Sequence, residues 1–194
     1  MTFPMATALT QPGLKEWGAV VHALLDGRQT VLLRKGGIHE KRFELAPEVA
    51  RMGFLLFPTV AHSHSARVRP EHRDLLAAAA MDSTDDDVVL RAGARVVAAV
   101  EVNRPGELDS ISPLHIWTSE SVQTDRLDFR PRHRLTVLIV SAAPLAEPVR
   151  LARTPDYRGC SSWVQLPVRP RWAAPVHAEA TLLDIATRVR RSVG

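Results

Sequence analysis

The chain is short of cysteine and of lysine. A single cysteine, Cys160, occurs in 194 residues, which excludes an intrachain disulfide and a multi-cysteine zinc site. Lysine occurs only at Lys15, Lys35 and Lys41. Arginine therefore carries nearly all of the positive charge. No run of about 18 apolar residues is present, so no membrane-spanning helix is expected. The N-terminus has no basic region followed by an apolar run. No signal peptide is expected, and the cytoplasm is the default compartment. There is no internal repeat, no low-complexity tract and no complete catalytic or cofactor-binding motif.

What is present is an ordinary globular composition. The hydrophobic fraction is 45%, enough for a sizeable core, and the length fits one domain. The net charge is +4 with a pI near 10, which favours anionic partners. Arginine suits planar, two-point contact with phosphates and base edges better than lysine does. The chain is rich in Ala, Arg and Val throughout, so this bias carries little weight by itself.

The stretch Thr30–Gly37, TVLLRKGG, organises the reading. A short apolar strand delivers Arg34 and Lys35 onto a Gly36-Gly37 turn, and His39, Glu40, Lys41 and Arg42 follow. Paired glycines allow positive φ and close approach of a ligand to the backbone. Cations beside such a turn form an anion site.

In chain order, residues 1–12 read as a flexible arm. Leu14, Trp17, Val20, Val21, Leu24 and Leu25 recur at helical spacing, and Gly27 caps that helix. A strand runs from Gln29 to Arg34. A short helix is expected after Pro47, then a buried strand at FLLFP closed by Pro58. Thr59 to Arg69 is a polar connection. Pro70 opens a helix to Met81, followed by an acidic, solvated loop to Asp87. Arg95 to Val102 is a strand by its valines. Ser119 to Phe129 is a helix capped by Thr118 or Ser119. LTVLIV at Leu135–Val140 is a core strand. Pro144 and Pro148 bound a short connection, with an edge strand at Val149–Leu151. Tyr157 to Leu166 is a turn running into a strand. After Pro167 a proline-containing linker leads to an amphipathic closing helix, with Leu182, Leu183, Ile185, Ala186 and Val189 on one face. Arg188, Arg190 and Arg191 lie at its C-terminal end, where they complement the helix dipole. The expected fold is α+β, a small mixed, partly closed β-barrel flanked by helices over residues 13–167, with 168–194 packed on it. A doubly wound sheet lacks the regular alternation it needs.

The helix ending in Gly27, followed by RQTVLLR, resembles the opening of ASCH domains in the PUA-like superfamily. There a helix leads into a Gly-x-Lys-Thr-x-Glu-x-Arg stretch. The strand RVVAAVEV, and a helix followed by LTVLIV, resemble later parts of the same topology. Gly27, Thr30 and Arg34 match. Arg28 and Gln29 stand where a lysine is expected, and Leu32 replaces the glutamate. The resemblance therefore implies a groove for RNA, DNA or a modified base, with Arg34 carried over. It does not imply the amide hydrolysis ascribed to some ASCH proteins. The whole chain also resembles an uncharacterised bacterial family, through its LLRKGG, FLLFPT and YRGCSSWV stretches. Relatives of that family beside restriction-type nuclease domains imply a nucleic-acid context.

The candidate binding residues are Arg34, Lys35, Gly36, Gly37, His39, His62, His64, Tyr157 and Trp163. The arginine, lysine and glycine turn would hold phosphate; its bland counterpart is a solvated hairpin turn. His62 and His64 would share a face if extended, with His39 or one of Asp85–Asp87 completing a metal site. No standard metal motif has that spacing, and a polar loop is the preferred reading. Tyr157 and Trp163 would stack a base across Gly159, Cys160, Ser161 and Ser162, or else Trp163 is core. Cys160 as a nucleophile would need a base beside it; an inert thiol is preferred. His115 and Trp117 either line the pocket or belong to a strand leading to the capped helix. Arg126, Arg130, Arg132, His133 and Arg134 would track a backbone by charge or form a solvated corner. Three functions follow. The first is binding of a nucleic acid or nucleotide-like anion. The second is a small hydrolase or nuclease-accessory enzyme using His62, His64, Lys35 or Cys160. The third is a protein-protein adaptor whose exposed apolar patch would lie around Trp172 and the closing helix.

Overall fold

The computed structural model describes residues 10–35, 49, 52–60, 64–159 and 161–194. The Gly36-Gly37 turn and most of the helix expected after Pro47 lie outside the described residues; Val49 and Met52 of that stretch are helical. Six strands form one mixed sheet, ordered β2-β5-β4-β3-β1-β6. They are β1 (Gln11–Trp17), β2 (Val31–Lys35), β3 (Phe54–Thr59), β4 (Asp87–Glu101), β5 (Leu135–Ala152) and β6 (Trp163–Leu166). The β1/β3 pair is parallel and the other pairs are antiparallel. Strands β2 and β6 stand at opposite edges, so the sheet is not closed into a barrel. Helices α1 (Gly18–Leu25), α2 (His64–Arg67), α3 (Leu75–Met81), α4 (Ser119–Val122) and α5 (Glu179–Val193) complete an α+β architecture. Among the described residues no helix is long and apolar enough to cross a membrane.

The first strand departs from the helical reading of Leu14–Leu25. Only Gly18–Leu25 is helical, and Leu14 and Trp17 belong to β1. Sheet partners far along the chain override the local periodicity: Gly13 pairs with Leu55 on one side and Val164 on the other. Gly13 also packs beneath β6, where a Cβ would stand 2.5 Å from Leu166 Cδ1. Helix α1 ends at Gly27 in the left-handed region, φ 74°, as its sequence predicts.

The long β4–β5 pair differs from expectation too. Pro144 and Pro148 lie inside β5, not in a connection. Pro144 turns its carbonyl to Ala173 N at 2.8 Å, so its missing N–H costs no bond to β4. Register shifts at Leu90/Ala92 and Val96/Ala98 mark bulges, which bend a ladder. Pro70 starts a 3₁₀ turn to His72, and the α-helix begins only at Leu75. In the stretch expected to be solvated, Asp82 is 2% exposed.

Alternation along β3 divides the core. Phe54 and Leu56 face one cluster with Leu14, Val20, Leu32, Ile116, Val137 and the closing helix. Leu55 and Phe57 face the other with Leu90, Leu145, Tyr157, Val164 and Leu166. In α5, Leu182, Ile185, Ala186, Val189 and Val193 are buried, whereas Leu183 is 50% exposed. Its C-terminal carbonyls are bonded by Arg104, with Nε 3.1 Å from Gly194 O and Nη2 2.5 Å from Arg191 O.

Trp172 is partly buried, with its indole over Gly53 and Gly93. It is packed onto the second cluster, and is neither fully exposed nor fully buried. A Cβ on Gly93 would overlap that ring. Gly93→Ala should therefore lower stability by about 2 kcal/mol through overpacking. In urea denaturation, a loss under ~0.5 kcal/mol would show that the ring moves aside freely.

Candidate anion-binding crevice

The end of β1 and start of α1 carry Glu16 and Trp17 to the rim of the sheet. Trp117 comes from an extended segment before α4, bridged to Val68 beyond α2. The two indoles meet edge to face, centroids 4.8 Å apart at 89°. With Ser121, Val122, Asp125 and Arg126 they line a narrow, closely packed crevice.

Each indole carries a guanidinium. Arg67 Cζ lies 5.4 Å from the Trp17 ring centroid, and Arg126 Cζ lies 5.8 Å from that of Trp117. Both are within range of cation–π attraction. Arg67 Nε is 3.1 Å from an Asp125 carboxylate oxygen. Arg126 Nη1 donates to Asp125 O at 3.3 Å, while its Nε is buried without an acceptor among the described residues. Desolvation is the largest influence on Arg126 and lowers its pKa; Glu16 opposes it, and Arg34 adds to it.

Arg34 reaches the same region from β2. Its Nη2 donates to Lys15 O at 2.9 Å, and Nη1 lies 3.6 Å from Glu16 Oε2. Glu16 is 4% exposed, and its Oε1 accepts from Trp17 N at 2.9 Å. Lys35 donates from Nζ to Leu127 O at 3.1 Å. Burial lowers the Lys35 pKa, against an opposing pull from Asp128.

The π-helical segment Gln123–Asp128 positions Asp125, Arg126 and Leu127 together. It continues α4, whose cap is the expected one: Thr118 Oγ1 accepts from Ser121 N at 3.1 Å. A π-helical turn re-aims side chains relative to α-helical spacing. Beyond it, Arg130, Arg132 and Arg134 are exposed, and Arg134 is paired with Glu101.

Of the sequence candidates, Arg34 and Lys35 lie at this site. Trp163 stands opposite Leu14 in the β1/β6 register, so it shares the sheet face of Leu14 and Glu16. It packs edge to face on Phe54, centroids 5.3 Å apart. Tyr157 lies on the other face against Phe57, at 5.3 Å. The sheet separates the two aromatics, so they do not form one stacking clamp. Gly36, Gly37, His39, His62 and Cys160 lie outside the described residues, as does the His64 side chain. His64 begins α2, so the backbone there is helical and not the extended one that a face shared with His62 would need. Among the described residues no group of three metal-type ligands occurs.

His115 is 2% exposed, and its Nδ1 accepts from Trp117 N at 3.2 Å. It holds the backbone that presents Trp117. Burial, then Arg69, pushes its pKa down to about 4. Gln29, where the ASCH resemblance expects lysine, is a buried crosslink. Its Nε2 donates to Val31 O at 2.8 Å and its Oε1 accepts from Ile116 N at 3.2 Å. Glu16, Trp17 and Arg67 carried no signal as site residues. Arg126 was visible only as part of a basic run.

A family model described as "Domain of unknown function (DUF1802)" matches residues 13–188. No curated protein matches the chain. Two solved structures do, both mutant forms of ZmASCH from Zymomonas mobilis. One has a TM-score of 0.43 at 12% identity, covering 91% of this chain and 94% of that one. The other has 0.42 at 15%, covering 90% and 96%.

Proposed function

We propose that this chain, which belongs to the DUF1802 domain family, binds the phosphate backbone of a nucleic acid along the Trp17–Trp117 crevice. The observation that supports the reading is convergence. Arg67 from α2 and Arg126 from the π-helical segment lie over the two tryptophans, while Arg34 and Lys35 come in from β2 onto Glu16 and Leu127 beside them. Guanidinium groups beside aromatic faces suit phosphate contact with adjacent base stacking. Arg126 brings a desolvated guanidinium with a spare donor, which strengthens a charge-assisted bond. The exposed Arg130 and Arg132 extend the positive rim.

The test is binding of purified protein to short single-stranded and duplex DNA and RNA, with salt varied. Affinity should fall as salt rises, each engaged cation contributing about −0.7 to the slope of log K against log salt for a single strand. Arg126→Gln should weaken binding roughly tenfold, equivalent to about 1.5 kcal/mol for a contact with a charged group. Arg190→Ala, on the exposed face of the closing helix, should leave affinity within about twofold, a rim-type effect. Equal losses would show diffuse charge attraction and no defined site.

A further inference from the structure

Asp125 occupies a singular place in the crevice. Its carboxylate holds Arg67 Nε at 3.1 Å. Its carbonyl oxygen holds Arg126 Nη1 at 3.3 Å. Those are the guanidiniums that lie over Trp17 and Trp117. One residue therefore restrains both cations and, through them, covers both indoles. Arg67 and Asp125 are each partly exposed at the rim, so an incoming anion can reach the pair from solvent.

We infer that Asp125 is an internal competitor for the ligand phosphate and sets the affinity of the crevice, an inference that rests on the nucleic-acid reading above. The chemistry is an exchange of partners. A phosphate oxygen takes the Arg67 guanidinium in place of the carboxylate, since both are planar-recognition acceptors for the same fork. When Arg67 follows the phosphate, the Trp17 ring face is uncovered for a base. The free carboxylate then lies beside the bound phosphate and repels it, so part of the binding energy is cancelled. Only a ligand that engages several cations at once makes the exchange favourable. A segment of polynucleotide does this; a single small anion gains one contact while leaving Asp125 unpaired. Asp125 thus discriminates by valence, favouring an extended phosphate chain over free phosphate.

The experiment uses the full chain with a fluorescent single-stranded oligonucleotide of about ten nucleotides, spanning an ordinary single-strand site, and inorganic phosphate as competitor. Asp125→Asn keeps the side-chain shape and removes the charge. It should tighten oligonucleotide binding roughly tenfold and steepen the salt slope by about 0.7, because no freed carboxylate is left to take up a counterion when Arg67 goes to the phosphate. Inorganic phosphate should compete more effectively against the variant than against the wild type. Asp128→Asn is the control: it removes the same charge from the same segment, but this carboxylate accepts from Gln123 Nε2 at 2.7 Å and not from Arg67. It should change affinity less than threefold. Circular dichroism confirms that both variants fold. Equal gains in the two variants would reduce the effect to net charge and overturn the inference. So would unchanged or weaker binding by Asp125→Asn while Arg126→Gln still weakens binding about tenfold; the site would then stand and only the competition would fail. If neither wild type nor Asp125→Asn binds at low salt, both readings fall together.

Discussion

Arg91→Met should destabilise the fold by about 3 kcal/mol, the low end for breaking a buried ion pair. Arg91 Nε lies 2.8 and 2.7 Å from the two oxygens of Asp82. His22 Nε2 lies 2.7 Å from one of them. The three groups join α1, the turn after α3, and β4. Asp82 is the buried member, and Arg91 is over a third exposed. Removing Arg91 therefore leaves a buried carboxylate with one remaining side-chain partner among the described residues, His22. Removing the charge as well should help. The double variant Arg91→Met/Asp82→Asn should regain at least half of the loss, because the desolvation penalty goes with the charge. Urea denaturation of wild type and both variants at neutral pH measures this. A single-variant loss under ~1 kcal/mol would mean that the carboxylate finds water or another donor.

His115 should make the fold acid-sensitive. Its pKa is pushed down to about 4 from an ordinary 6.5, first by burial and then by Arg69. Above pH 6.5 the imidazole is neutral in both folded and unfolded chains, and its contribution is intact. Below 6.5 the unfolded chain takes up a proton that the folded one refuses, so stability falls until the folded group also titrates near 4. The full difference corresponds to about 3 kcal/mol. His115→Asn retains an acceptor near Nδ1 for the Trp117 N–H and does not titrate. Carboxylates add their own acid sensitivity, so the informative quantity is the difference between wild type and variant. That difference should grow from pH 7 to 4 in denaturation series. A constant difference across this range would show that His115 gains a charge without unfolding. The imidazole titration followed by NMR gives the same answer independently.

The apolar strands were the most readable part of the chain. FLLFP and LTVLIV are short runs of residues that suit a sheet, and both are buried strands. Helix α1 was located by its spacing and stopped by Gly27, where only the backbone angle of a glycine fits comfortably. The error at Leu14–Trp17 has a definite cause. Those residues satisfy helical spacing, yet their partners on β3 and β6 lie far along the chain, and pattern within a window contains no trace of them. The same limit applies to Pro144, whose tolerance depends on Ala173 lying across from it. At the site, Arg34 and Lys35 stood out because cations following an apolar strand are conspicuous. Glu16, Arg67 and Trp17 did not, since each looks ordinary beside its neighbours. Their meeting is made by the sheet order and by the π-helical turn. Asp82 was misread for a related reason: an acidic stretch looks solvated until β4 brings Arg91 over it.

The strand order has a kinetic consequence. Strands β1 and β2 are the first two in the chain, yet neither pairs with the other. The first waits for β3 and β6, and the second waits for β5. During synthesis both strand segments leave the ribosome before their sheet partners exist. Non-local pairings carry the loop-closure cost before they return any stability, which slows folding. Helix α1 is the exception, because its contacts along the chain form early. Assembly of the crevice is correspondingly late: Arg34 is not held by the sheet until β5 arrives to fix β2. A ribosome-bound fragment that stops short of Leu135 would carry the cations without the frame that brings them together.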